Sequence, residues 1–256
     1  MTAAIEMQVA RVGYTALKGG RHRTHSSVEL APGGPVGDRA FCLVDPGTSR
    51  CLRTVEHPTL LQSSASWDGR VLAVELPLGD AVAAPVPTGE VLSVDYWGRT
   101  ASVQVLEGPW AAAFSAHLGR EVVLVSAAPG EVVYGAPVSL VTNASLARLA
   151  HEVAEPVDGA RFRATFQVDG DVSPHAEDEW VGRRLRLGTA EIEIRGAIPR
   201  CTVIDLDPAT GSPDLRLLKA LAGYRRRGQE IHFGVDAVVT LPGHVSTGDP
   251  IRLATA

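Results

Sequence analysis

A single cysteine, Cys201, stands in the run GAIPRCTVIDLDPATG, between Arg200 and Thr202, where a strand-like stretch ends and an Asp-rich turn begins. The thiolate is the form of cysteine that attacks or binds metal, and the free thiol has a pKa of about 8.5. The neighbouring guanidinium favours the thiolate by Coulomb attraction, and a soft thiolate selects soft or high-valent metals. On the residues alone, two readings of Cys201 stand side by side: a functional thiolate, as nucleophile or metal ligand, and a structural thiol. The following DLDPATG, Asp205 to Gly211, imitates the start of a calcium loop. Its twelfth position is Arg216 and its glycine falls one place late, so it reads as a turn in which Asp205 and Asp207 make local hydrogen bonds.

Cations punctuate the turns that precede Cys201. Lys18 lies in YTALKGGR, Arg39 in GDRAF, Arg53 in CLRTVEHP, and Arg161 and Arg163 in ARFRATF. Lys18 beside Gly19 and Gly20 can bring backbone N–H groups and an ammonium to a phosphate, although the spacing is no Walker motif. Taken singly, each cation also fits an ordinary surface position. The stretch TNAS, Thr142 to Ser145, can offer a helix N-terminus to an anion or simply cap the helix.

The elements that position these residues are mostly short and β-rich. EMQVARVGY, RAFCLVD, VLAVELP, EVVLVSA, PVSLVT, RLRLGTAEIEIRG, DAVVTL and DPIRLA lie between frequent Gly and Pro, which predicts a mainly β fold of barrel or sandwich type. Three helices are expected. GPWAAAFSAHLG starts near Pro109 and stops at Gly119, and TNASLARLAHEVA is capped by Thr142 or Asn143. SPDLRLLKALAGYRRRG is capped by Ser212 and ends on cations, Arg225 to Arg227, that suit the helix dipole. A boundary is expected between Gly98 and Gly119, dividing the chain into 1–108 and 109–256.

The chain has 256 residues, is 45% hydrophobic and 21% charged, and carries a net charge of -5. That balance argues for a folded domain and against nucleic acid as the main partner. No apolar run reaches the length of a membrane span, and the N-terminal MTAAIEMQVARVGY lacks the pattern of a secretory signal. The three cysteines, Cys42, Cys51 and Cys201, form no CxxC pair. Cys42 and Cys51 are expected as reduced thiols of a cytoplasmic protein, placed to face each other across a hairpin.

Together these segments resemble the MOSC family, named for the C-terminal domain of molybdenum cofactor sulfurase. The resemblance is greatest to its two-part members, which include the mitochondrial amidoxime reducing component. It is carried by GDRAFCLVD, LRTVEHPTLL, PVSLVTNASLARLA, RFRAT, EDEWVGRRLRLG, PRCTVIDLDPATG and TGDPIRL, in family order over nearly the whole chain. The last four are specific as a set. The resemblance implies a β-barrel MOSC domain preceded by a smaller β-rich N-terminal domain, with a molybdenum cofactor between them. It implies that Cys201 ligates molybdenum. It also implies that Lys18, Gly19, Arg39, Arg53, Thr142, Asn143, Ser145, Arg163, Thr165 and Arg200 contact the anionic cofactor through charge-assisted hydrogen bonds and helix-end donors. Two segments depart from the family pattern. The usual YPIKS is YTALKGG, which loses a serine at Gly19, and the usual FRPN is FRAT, with Thr165 in place of asparagine.

Three functions follow as expectations. The first is a molybdenum-dependent reductase of N-oxygenated substrates such as hydroxylamines and amidoximes, with electrons from a separate redox protein and with no nucleic-acid or membrane partner. The second is a sulfur carrier or transferase using a Cys201 persulfide. The third is a non-catalytic cofactor-binding protein.

Overall fold

The computed structural model describes residues 6–254. Two barrels dominate it. In the larger, seven strands close a ring: Val138–Thr142, Phe166–Gly170, Met7–Tyr14, Pro250–Leu253, Arg184–Leu187, Ala190–Pro199 and Glu230–Leu241, which pairs back to Val138–Thr142. Every pairing is antiparallel except that of Val138–Thr142 with Phe166–Gly170. A parallel pair needs a crossover, and the helix α1 of this connection spans Asn143–Val153. Alternation fills the barrel. Arg184–Leu187 is buried at Leu185 and Leu187 and exposed at its two arginines, and Ala190, Ile192 and Ile194 repeat the pattern on the next strand. With Val9, Leu140, Phe166, Val168, Val235 and Ile251 they form one apolar cluster. Each such side chain contributes about 1.5–3 kcal/mol when fully buried.

The smaller barrel closes five strands, in the order Val86–Tyr96, Arg99–Glu107, Val123–Ala127, Phe41–Asp45 and Arg50–Cys51. The helix Trp110–Leu118 packs beside it through fully buried Trp110 and Phe114, and Gly119 ends it in the left-handed conformation, as expected from the sequence. Cys42 and Cys51 are buried free thiols on the paired strands Phe41–Asp45 and Arg50–Cys51. No helix is long and apolar enough to cross a membrane among the described residues.

The structure differs from the sequence expectations in three places. The barrels do not divide at 108/109. Met7–Tyr14 belongs to the larger barrel, paired from Met7↔Gly170 to Val12↔Phe166, while Trp110–Leu118 and Val123–Ala127 belong with the smaller one. Closure of each ring requires the strand that sequence order assigns to the other half. The third helix is also shorter than its leucine spacing predicts, running only Leu217–Ala222. Pro213 is instead held in a bridge to Leu206, and the helix start is capped by Asp205, whose Oδ1 accepts the Leu218 N–H at 2.8 Å. Finally, Arg226–Arg227 form a short strand against Glu230–Ile231. Asp178 collects Arg225 and Arg227, each at 2.7 Å, so these cations answer a carboxylate and not a helix end.

The Asp-rich turn fastens the two halves. Asp207 Oδ1 accepts the N–H groups of Ala209 and Thr210, which makes the turn that the sequence predicts. The carbonyls of Ala209 and Thr210 accept from Arg21 and Gln62 of the N-terminal half, each at 3.0 Å. Gly211 sits at φ +74, and a Cβ there would lie 2.1 Å from the Pro58 carbonyl oxygen. Gly211→Ala is therefore expected to destabilise the protein by about 2–3 kcal/mol, lowering the thermal midpoint by about 5–10 °C. Gly228→Ala has the same hand of φ but open space around it, and should cost about 1 kcal/mol. Equal midpoints for the two variants would show that the turn is not docked.

Candidate functional site

The two halves meet around a cleft of about 280 Å³. Lys18, Arg39 and Arg53 line it from the N-terminal half, and Arg163, Arg200 and Cys201 line it from the other. Six residues singled out by sequence thus converge from turns far apart in the chain. Arg161, from the same run as Arg163, also lines the cleft. Its guanidinium is held by Asp214, at 2.7 and 2.5 Å, and by the Leu206 carbonyl, so it braces the wall.

Each cation is fixed differently. Arg163 ends the short helical turn Gly159–Phe162 at φ 53, and its Nη1 donates to the Gly20 carbonyl at 2.7 Å. Arg200 closes the strand Ala190–Pro199; its Nε donates to the Phe233 carbonyl at 2.7 Å and its Nη1 to the Phe162 carbonyl at 3.0 Å. In both, Nη2 is buried without an acceptor. Arg39 pairs with Asp38, as its sequence position beside that residue allows, and Asp38 also accepts the Thr15 N–H. Arg53 bonds Glu56 and lies 4.4 Å from the centre of the Trp97 ring. The Lys18 ammonium lies 5.3 Å from the centre of the Tyr96 ring, and the buried Tyr96 hydroxyl also lacks a partner.

The electrostatics of this arrangement are unfavourable until negative charge is added. Burial, followed by repulsion from Arg39 and Arg163, brings the Lys18 pKa down to about 7. Burial, followed by repulsion from Arg39, brings Arg163 to about 9, and burial brings Arg200 to about 10. Desolvation disfavours the charged form of a cation and an adjacent anion restores it. The cleft is therefore cationic in character, with Asp236 the one carboxylate among the described residues of its lining and two guanidinium donors unpartnered. Cys201 presents an exposed thiol at the start of the turn Thr202–Asp205. Among the described residues no group of three or more His, Cys, Asp or Glu is placed to hold a metal ion.

Five sequence candidates lie outside the lining of the cleft. Thr142 does cap α1, accepting the Ser145 N–H at 3.1 Å, but the anion at this helix N-terminus is the protein's own Glu177. Glu177 Oε2 accepts from the hydroxyls of Thr142 at 3.0 Å and Ser145 at 2.8 Å, and burial raises the carboxyl pKa. Asn143 donates to Asp169 and accepts from Gln167. Thr165 is buried and exchanges hydrogen bonds with Ser139, accepting its N–H at 3.1 Å and donating its own at 3.2 Å. Gly19 has φ +89, and a Cβ there would meet Leu60 Cδ1 at 2.8 Å. The two departures from the family pattern are thus met by local packing. Thr165 ties neighbouring strands, and the chain at position 19 needs glycine.

Sequence reasoning overlooked the aromatic residues of the cleft. Trp97 and Tyr134 line it, and Tyr96 stands behind Lys18. A signal was present in YWGR: the two-residue turn of a hairpin favours Asn-Gly or Asp-Gly, and this chain has Trp-Gly.

The Lys18 shift has a measurable consequence. An unfolded lysine keeps its proton to about 10.4, whereas Lys18 releases it near 7 in the cleft. The unfolded chain therefore holds the extra proton between those values, and this group's contribution to stability rises with pH across that window. An anion beside the ammonium restores the proton. Sulfate added to protein purified without cofactor should bind with uptake of close to one proton at pH 8.5, and more weakly as pH rises from 7 towards 10. Calorimetry in two buffers of different ionisation heat measures the uptake, and Lys18→Met should remove it. Proton-neutral binding at pH 8.5 in the parent protein would contradict the charge cluster.

Comparison with known proteins gives the family of the chain. Molybdenum cofactor sulfurase of Caenorhabditis elegans is 28% identical over 226 residues, covering 81% of this chain and 30% of that protein. The Caenorhabditis briggsae protein of the same name is 35% identical over 105 residues, covering 40% of this chain and 14% of that protein. The chain spans less than a third of the length of either relative. Among solved structures, the YuaD protein of Bacillus subtilis is 12% identical with a TM-score of 0.49, covering 98% of this chain and 97% of that one. YiiM of Geobacillus stearothermophilus is 16% identical with a TM-score of 0.35, covering 46% of this chain and 54% of that one. The family model described as the MOSC domain matches residues 115–252, more than half of the chain and the part that carries Arg163, Arg200 and Cys201; the chain belongs to the MOSC domain family.

Proposed function

We propose that the cleft holds the molybdenum cofactor, with Cys201 as the protein's ligand to molybdenum, and that the chain reduces N-oxygenated substrates of the hydroxylamine and amidoxime type. The observation that carries this reading is one exposed thiol sharing a cleft with half-buried cations, two of which bury an unpartnered donor nitrogen. These residues fit the group. A thiolate suits a soft or high-valent metal, and the ammonium and guanidinium groups suit a pterin that bears an anionic phosphate.

In this reading Lys18, Arg39 and Arg163 bind the anionic part, and Arg163 Nη2 and Arg200 Nη2 donate to it. Arg200, next to Cys201 in the chain, is fastened by two backbone carbonyls and so holds its guanidinium at the cleft wall. Phe162, stacked on Phe233 at 4.3 Å, gives the wall next to Arg200 an apolar, rigid backing. When bound, the cofactor supplies two-electron removal of oxygen from the substrate. Overall, R–NHOH takes two electrons and two protons and gives R–NH2 and water, with the electrons from a separate redox protein. The name of the two nematode relatives favours a second reading, in which Cys201 carries sulfur as a persulfide.

Protein from a cofactor-competent host separates these readings. The reductase reading expects molybdenum bound in proportion to protein and turnover of a hydroxylamine with a chemical reductant. Cyanide-labile sulfur on Cys201 without molybdenum would favour the carrier, and loading without turnover would reduce the role to cofactor binding. Cys201→Ala should lose turnover with stability held to within about 0.5 kcal/mol, because the side chain is exposed. Wild-type turnover in that variant would overturn the ligand assignment. Arg163→Ala removes a charge-assisted donor worth about 1.5–3 kcal/mol, so cofactor loading at limiting cofactor should fall about tenfold or more. Unchanged loading would remove Arg163 from the site.

A further inference from the structure

The mouth of the cleft is built on a turn that favours a different residue. Strands Val86–Tyr96 and Arg99–Glu107 are joined by Trp97 and Gly98 alone, at φ 55 and φ 78. Positive φ at both positions is the geometry for which Asn-Gly or Asp-Gly is selected, since only a short polar side chain or none is easily accommodated there. A bulky residue in the left-handed region is an outlier. Here it is not offset by burial, because Trp97 is 45% exposed. Of the other tryptophans, Trp110 and Trp180 are buried and Trp67 is half-buried.

The indole is nevertheless held in place. The Arg53 guanidinium lies over the ring at 4.4 Å and is itself anchored by Glu56. Tyr134, which is 50% exposed, meets Trp97 edge-on at 5.4 Å and 61°. Both rings line the cleft that contains Cys201. The exposed aromatic pair is therefore held in place at the edge of the cleft, which the half-buried cations Lys18 and Arg163 also line.

We propose that Trp97 and Tyr134 form a stacking platform for planar aromatic substrates, so that the hairpin of the smaller barrel sets a preference for aromatic over aliphatic N-oxygenated compounds. The proposal rests on the reading of the cleft as a reductive site, but binding to the platform can be measured without turnover. Offset and edge-to-face packing on the two rings rewards a flat π-system and gives an aliphatic group of the same function much less.

Two variants and two measurements test it. Trp97→Asn installs the residue that the turn favours, so the thermal midpoint should rise by about 2–4 °C. The ratio of kcat/KM for phenylhydroxylamine to that for N-methylhydroxylamine should fall about tenfold in Trp97→Asn, and less in Tyr134→Ala. A Trp97 that serves only the fold would give a lower midpoint and an unchanged ratio, which would overturn the proposal. The second measurement uses protein purified without cofactor. Pyridine N-oxide should quench the indole fluorescence saturably, trimethylamine N-oxide should not, and Trp97→Asn should lose the effect. Equal response to both compounds would overturn the proposal, whereas saturable quenching together with no turnover in the cofactor-loaded protein would retain the platform and sink the reductase reading alone. Reduced cofactor loading in Trp97→Asn would assign the rings to the pterin and would also overturn it.

Discussion

The constraint on which this structure turns is the burial of like charge. At the junction of two barrels Arg39 and Arg163 come close enough to lower the proton affinity of Lys18, Arg39 lowers that of Arg163, and of the three only Arg39 forms an ion pair with a carboxylate among the described residues. Desolvating cations and then crowding them opposes folding. The rest of the molecule offsets that term. Carbonyls hold Arg163 and Arg200, aromatic faces lie against Lys18, Arg53 and Arg200, and two apolar cores lock the turns that carry the cations. A bound anion reverses the sign of the interaction, so the affinity of the cleft and the instability of its charge are one quantity seen from two sides.

The same logic explains why the helix N-terminus of α1 is not part of the cleft. A helix start favours negative charge, and Glu177 already supplies it from a segment 35 residues after Thr142, with two hydroxyls to satisfy one of its oxygens. The site and the helix end solve opposite problems with opposite charges. Among the described residues the cleft gathers six cations against the single lining carboxylate of Asp236, while the helix end is met by the Glu177 carboxyl.

How legible all this is in the sequence depends on range. Cys201 and the six cations that line the cleft were each visible as residues in turns, and the structure brings them to one cleft. Thr142, Asn143 and Ser145 were legible as a cap, because capping is local; the identity of the anion they face was not, since Glu177 arrives from elsewhere in the chain. The mainly β class was plain from strand alternation. The partition of strands between barrels was not, because Met7–Tyr14 pairs with Phe166–Gly170 across most of the molecule. Leucine spacing overextended the third helix because Pro213 fits both the first turn of a helix and the bridge it actually makes. Gly19 and Thr165 read as lost contacts and proved to be packing solutions, a distinction that needs the positions of Leu60 and Ser139.

Backbone conformation adds a second, independent mark on the same cleft. Among the described residues six that are not glycine have positive φ, and three of them, Arg39, Trp97 and Arg163, line the cleft. Each left-handed residue of this kind costs about 1–2 kcal/mol, so together they withhold roughly 3–6 kcal/mol from the fold. None of the three is an Asn or Asp, the types that tolerate the region best. In each case the strained residue sends a cation or an aromatic ring into the cleft, where glycine would have formed the turn more cheaply and delivered nothing. Strain, buried charge and exposed aromatic surface are three separate departures from what stability favours. Their coincidence around one thiol ties the costs of the fold to this cleft.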